Sequence, residues 1–185
     1  MMRARLGTAV LAALLTIAPG GAVFASATPQ LVDQTGRTFT LSSLRGRPLV
    51  VTFVSAHCAD ACPLIDAQFA SAARRIATRH LNARLLTITL DPQHDPPSLM
   101  RALASRFEAD PRYWLVAGGK VADVEQIVHA FGVIAQTGKD GYREAHTTFV
   151  YVFDANLNLN KTMLASTSLD DDVVAAVAPL AVAAR

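Results

Sequence analysis

The sequence predicts an α/β fold, and three observations carry that prediction. Two continuous apolar runs, LVVTFV (Leu49 to Val54) and LLTITL (Leu85 to Leu90), are rich in β-branched residues and short, as befits central strands covered on both faces. Between and after them, apolar residues recur at helical spacing. The chain then offers a late strand, TTFVYVF (Thr147 to Phe153), a turn at Asn156 and a returning stretch from Leu157 to Met163.

Each element follows from its own residues. Residues 31 to 46, LVDQTGRTFTLSSLRG, set a Thr-Gly turn between short extended pieces and predict a leading hairpin. The Leu49 to Val54 strand runs straight into HCADACP. Beyond it Ile65, Phe69, Ala73 and Ile76 mark the inward face of a helix, while Arg74, Arg75 and Arg79 fall elsewhere. The Leu85 to Leu90 strand ends in DPQHDPP. Pro96 and Pro97 lead into a second helix, with Ser98 expected as its cap and Leu99, Leu103 and Phe107 inside. Tyr113 to Val116 is a short strand, Val121, Val124, Val128 and Phe131 mark a third helix, and a closing helix starts at Leu169. This order is that of a thioredoxin-like α/β sandwich with an N-terminal β-hairpin extension and a mixed central sheet. In open sheets of this kind, sites form at the C-terminal ends of the parallel strands, where HCADACP and DPQHDPP both fall.

Of the 185 residues, the first 27 read as an export signal. Arg3 and Arg5 form a positive start, Leu11 to Ile17 a short apolar core, Pro19-Gly20-Gly21 a break, and Ala25-Ser26-Ala27 the small-x-small pattern of a cleavage site. The apolar run is too short and broken for a convincing membrane span. The expected organisation is a signal peptide over 1–27 and one domain over 28–185, periplasmic or otherwise exported, with an N-terminal membrane anchor as the outcome if the signal is not cleaved. Removing two arginines and no acid leaves a formally neutral domain. Neutrality argues against a nucleic-acid or anionic-membrane partner, and nothing calls for more than a monomer.

Both cysteines of the chain, Cys58 and Cys62, stand in HCADACP, and Pro63 follows the second. Pro63 suits the first turn of a helix, which puts Cys62 at a helix N-terminus and Cys58 on the loop before it. The positive end of a helix favours a thiolate. A structural staple is the plain reading of an exported pair, but so small a loop constrains the unfolded chain little. The pair suits two other chemistries: reversible disulfide exchange, or capture of a soft metal, with copper the leading candidate outside the cytoplasm. The C-x-x-x-C spacing opens room for both sulfurs to face one ion.

Imidazole is the usual complement to two thiolates, and five histidines are available. His80 at the end of the first helix reads as a solvated cation, and His129 beside Val128 as a packed or rim residue. His57 adjoins Cys58, and His94 lies in the site-edge loop. His146 differs, because it stands just before TTFVYVF, a strand that in this fold starts beside the cysteine loop. It is the candidate third ligand.

These motifs together resemble the Sco/SenC family of copper-binding, thioredoxin-fold proteins that serve cytochrome c oxidase assembly. HCADACP resembles that family's C-P-D-x-C-P loop with Ala59 in place of the first proline. TLDPQHDPP resembles its strand-ending D-P-x-x-D-x-P segment, WLVAGGK its L-T-G element, and AHTTFVYVFD its histidine followed by a strand ending in Asp. The matches run in order from about residue 31 to 160. The resemblance implies one copper ion, Cu(I) or Cu(II), bound by Cys58, Cys62 and His146. It implies a partner too, either the copper-receiving subunit of cytochrome c oxidase or another exported copper chaperone, served by copper delivery or by thiol maintenance. The alternative is a thiol-disulfide oxidoreductase using Cys58 as attacking and Cys62 as resolving thiol. Exported thiol enzymes typically carry P-x-x-F at the start of the late strand. Here His146 holds the proline's place before Phe149, which favours copper.

Overall fold

The computed structural model describes residues 28–57, 61–145 and 149–183. The leading hairpin is present as β1 (Leu31–Asp33) and β2 (Thr38–Phe39), followed by a short 3-10 helix over Leu41–Leu44. Then come β3 (Leu49–Val54), α1 (Ala61–Thr78), β4 (Arg84–Thr89), α2 (Pro97–Arg106), β5 (Trp114–Gly119) and α3 (Val121–Ala130). A small hairpin of β6 (Ala135–Thr137) and β7 (Arg143–Ala145) follows, then β8 (Phe149–Phe153), β9 (Leu159–Leu164) and α4 (Leu169–Ala183).

Seven strands form one mixed sheet in the order β2-β1-β5-β4-β3-β8-β9. β3, β4 and β5 run parallel, while β1 and β8 join antiparallel on either side. All six residues of β3 are buried, because alternate side chains enter two different cores. Val50 and Val54 pack with Phe69, Trp114, Val150 and Val177 beneath α1, α2 and α4. Leu49, Val51 and Phe53 pack with Leu86, Ile88, Ile127 and Tyr151 on the face that carries α3. Ile65, Phe69, Ala73 and Ile76 are all buried, as their spacing predicts. At Gly119 a side chain would be impossible. A Cβ there would lie 2.8 Å from the Gln30 carbonyl oxygen, so this glycine lets β1 pair against β5.

The start of α2 departs from expectation. Ser98 is not its cap; the chain enters through extended Pro96, and Pro97 begins the helix, since its fixed φ and missing N–H fit that position. The inward face accordingly centres on Met100 and Ala104, with Leu103 and Phe107 half-buried beside them. No helix among the described residues is long and apolar enough to cross a membrane.

Candidate metal centre

At the C-terminal rim of the parallel strands the chain buries polar groups. Ser55, Thr89, Asp91 and Asp95 are all at most 2% exposed, and the two carboxylates organise everything around them. Thr89 hydroxyl donates to Asp95 Oδ2 at 2.5 Å, and the Ala56 N–H, in the turn after β3, donates to the same oxygen at 3.1 Å. His57 Nδ1 lies 3.2 Å from Asp95 Oδ1. His94 Nδ1 lies 2.9 Å from Asp91 Oδ2, which also accepts the Arg143 N–H at 2.9 Å. A carboxylate only accepts, so each imidazole donates from Nδ1. Buried carboxylates with this many donors are satisfied groups, and they fix the loops that supply those donors.

The segment DPQHDPP is thus a scaffold. It ties the turn after β3 (through Ala56 and His57) to the β6–β7 hairpin (through Arg143). That hairpin belongs to its own two-stranded sheet, apart from the central one. Its turn is closed by the Gly138 N–H donating to the Tyr142 carbonyl at 2.8 Å, and Gly141 takes a φ of +87° that a side chain would resist. The hairpin's docking contacts include a stack of Tyr142 on His57, ring centroids 3.9 Å apart and planes within 8° of parallel. His94 meets the same tyrosine edge-on at 5.0 Å. The Arg143 guanidinium pairs with Glu125 on α3 and reaches the Leu90 carbonyl.

Cys58 and His146 lie outside the described residues. Of Cys62 the backbone is placed, in the first turn of α1 as Pro63 predicts. What the fold brings together are the flanks of these candidates. His57, directly before Cys58, is stacked on Tyr142, four residues before His146. On the other side of His146, Thr52 pairs with Val150, and the Thr52 hydroxyl donates to the Phe149 carbonyl, which brings the start of β8 to the end of β3. The remaining histidines part company with this rim: His80 and His129 are exposed on the solvent side of the helices. Among the described residues no group of three or more metal-ligating side chains forms a site of its own. The sequence reading missed the β6–β7 hairpin, and with it Tyr142 and Arg143. The one available signal was the paired glycines of TGKDG (Thr137 to Gly141) between two short extended pieces.

The family model described as SCO1/SenC matches residues 23–181. A SCO2-like protein of Rickettsia typhi is 25% identical over 132 residues, which cover 69% of this chain and 64% of that protein; the chain thus spans under two thirds of that relative's length. Among solved structures, Bradyrhizobium japonicum ScoI with copper bound superimposes with a TM-score of 0.70 at 26% identity, over 82% of this chain and 96% of that one. BsSco, a member of the Sco family of cytochrome c oxidase assembly proteins with an identified disulfide switch, gives a TM-score of 0.69 at 18% identity, over 83% and 91% of the two chains.

Proposed function

Because this chain belongs to the SCO1/SenC family, we propose that it is an exported copper metallochaperone in which Cys58, Cys62 and His146 hold one copper ion. The observation that carries this reading is the convergence at one rim of the residue before Cys58, the helix turn that contains Cys62 and the hairpin that leads into His146. The donor set suits the cargo: two thiolates and one imidazole are the ligands that copper selects over harder ions. The copper-bound ScoI relative supports copper as the cargo. A site assembled from loops at the sheet rim exchanges ligands with a partner's thiols more readily than one closed within a core. The partner is the copper-receiving subunit of an oxidase, in keeping with the oxidase-assembly role of BsSco, or another exported copper chaperone. The functional unit is the domain over 28–185, acting as a monomer after export.

The test is one equivalent of Cu(II) added anaerobically to the reduced chain, with visible absorption recorded for the wild type, Cys58→Ser and His146→Ala. Sulfur-to-copper charge-transfer bands are expected, with affinity falling in His146→Ala by more than the roughly 10–100-fold typical of losing an outer-shell partner. Unchanged binding in that variant removes His146 from the site. The second reading, thiol-disulfide exchange at Cys58 and Cys62, is favoured by the disulfide switch of BsSco. In that case two Cu(II) ions each take one electron from one cysteine pair, which closes to a disulfide with release of two protons, so one equivalent of Cu(II) oxidises half of the pairs and no copper is retained, whether or not His146 is present.

A further inference from the structure

The β6–β7 hairpin ends one residue before His146, and among the described residues neither of its strands pairs with the central sheet. A ligand carried on so detached an element needs a fixed point close to it. Tyr142 has the geometry of that point. It lies at the foot of β7, half-buried, with its ring flat on His57 at 3.9 Å and its edge against His94 at 5.0 Å. Neither wall of this slot is free to yield. The Nδ1 of His57 is bonded to Asp95 at 3.2 Å and that of His94 to Asp91 at 2.9 Å, and both carboxylates are buried. The next residue, Arg143, is held through its N–H by the same Asp91.

We propose that Tyr142 is a positioning residue of the metal centre: stacked on His57 and abutted by His94, it locks the hairpin to the cysteine loop and so sets His146 in register with Cys58 and Cys62. The inference rests on the Cys/Cys/His reading above and adds how that site is kept in register. The stack joins the residue before one ligand to a residue one short strand away from another, so it acts on the separation of the two. Stacked aromatic pairs contribute modestly to stability. Their effect on a ligand's placement is larger in consequence, because partners of metal ligands typically change affinity by about 10–100-fold when lost.

The experiment uses the full chain with Cu(II) as probe. It compares the wild type, Tyr142→Ala, Tyr142→Phe, His146→Ala and the double variant Tyr142→Ala/His146→Ala. Affinity in Tyr142→Ala is expected to fall about tenfold, with a shift of the charge-transfer bands, while Tyr142→Phe, which keeps the flat ring, stays near the wild type. In the His146→Ala background, removing Tyr142 should cost little more, since a positioning residue has nothing left to position. Without copper, amide exchange across the Gly138–Tyr142 turn should accelerate in Tyr142→Ala and not in Tyr142→Phe. Should Tyr142→Ala fail to fold, Tyr142→Leu gives the same contrast between bulk and ring. Wild-type affinity and spectrum in Tyr142→Ala, or losses that simply add in the double variant, overturn the inference while leaving the three ligands in place. Unchanged binding in His146→Ala instead overturns the ligand assignment on which it stands.

Discussion

Two of the regions in which this molecule buries carboxylates do so on opposite terms. At the rim, Asp91 and Asp95 lie within reach of a threonine hydroxyl, two backbone N–H groups and two imidazoles. On α1, Asp66 is just as inaccessible, at 1% exposure, but its Oδ1 has no hydrogen-bond partner among the described residues. Burial therefore pushes the Asp66 carboxyl up to about 7, against the pull of Arg106. Equal burial has unequal consequences, because a buried charge is tolerable in proportion to the donors built around it. The rim carboxylates hold loops in place for a site; Asp66 burdens the helix whose first turn contains Cys62.

The sharpest way to break the rim is Asp95→Ala. It strands the Thr89 hydroxyl, the Ala56 N–H and the His57 imidazole at once. With roughly 1–3 kcal/mol for each buried group left unsatisfied, a loss of about 3–5 kcal/mol is expected. Urea unfolding should show a lower midpoint at unchanged slope. Copper affinity should fall as well, because the His57 ring beneath Tyr142 is released. Stability within about 0.5 kcal/mol of wild type would mean that the network is not what holds these loops.

Asp66 offers the opposite result, a gain. The carboxyl's folded value of about 7 lies above its ordinary 3.8, so between those values the folded chain binds more protons than the unfolded one. Stability consequently falls as pH rises from about 4 to about 7 and stays lowered above that. Asp66→Asn keeps the shape and removes the charge. It should raise stability at pH 8 by roughly 2–4 kcal/mol and leave it little changed at pH 4. Chemical denaturation at the two pH values reads this directly, and an equal effect at both would show that charge burial is not the cause.

This contrast also marks where the sequence stops being informative. The central strands were legible because each is covered on both sides, so LVVTFV carries its fate in its own composition. The helix after the cysteines was legible from four apolar positions, all of them buried. The candidate ligands Cys58, Cys62 and His146 came from motif and order in the chain. The support around that rim did not. β6 and β7 are three residues each, with no periodic apolar pattern, and their contacts hold them through Tyr142 and Arg143 to residues 18 to 85 positions away. DPQHDPP was recognisable as a rim loop, but its inward carboxylates depend on donors from Ala56 and Arg143, which local sequence does not announce. Ser98 misled for the converse reason: a good cap residue lost to a proline already suited to start the helix.

A fourth carboxylate sets the lower end of the scale. Asp170, in the first turn of α4, accepts the Ser71 hydroxyl at 2.7 Å and the Arg75 guanidinium at 3.1 Å, which joins α4 to α1. The Ser71 hydrogen bond first, and Arg75 after it, hold its carboxyl below the ordinary carboxylate range. The sign is opposite to that of Asp66. Here the stabilisation is present at neutral pH and lost as pH falls below about 4, through the lowered value. Because Asp170 is partly exposed and screened, Asp170→Ala should cost only about 1 kcal/mol at pH 7. The difference should shrink as pH falls through the carboxyl's lowered value. Copper binding should not change, since α4 packs on α1 beyond its first turn, through Ser71 and Arg75. A copper affinity that moved with Asp170 would mean that the α1–α4 contact reaches the Cys62 turn, and the division between a supporting rim and a separate helix layer would have to be abandoned.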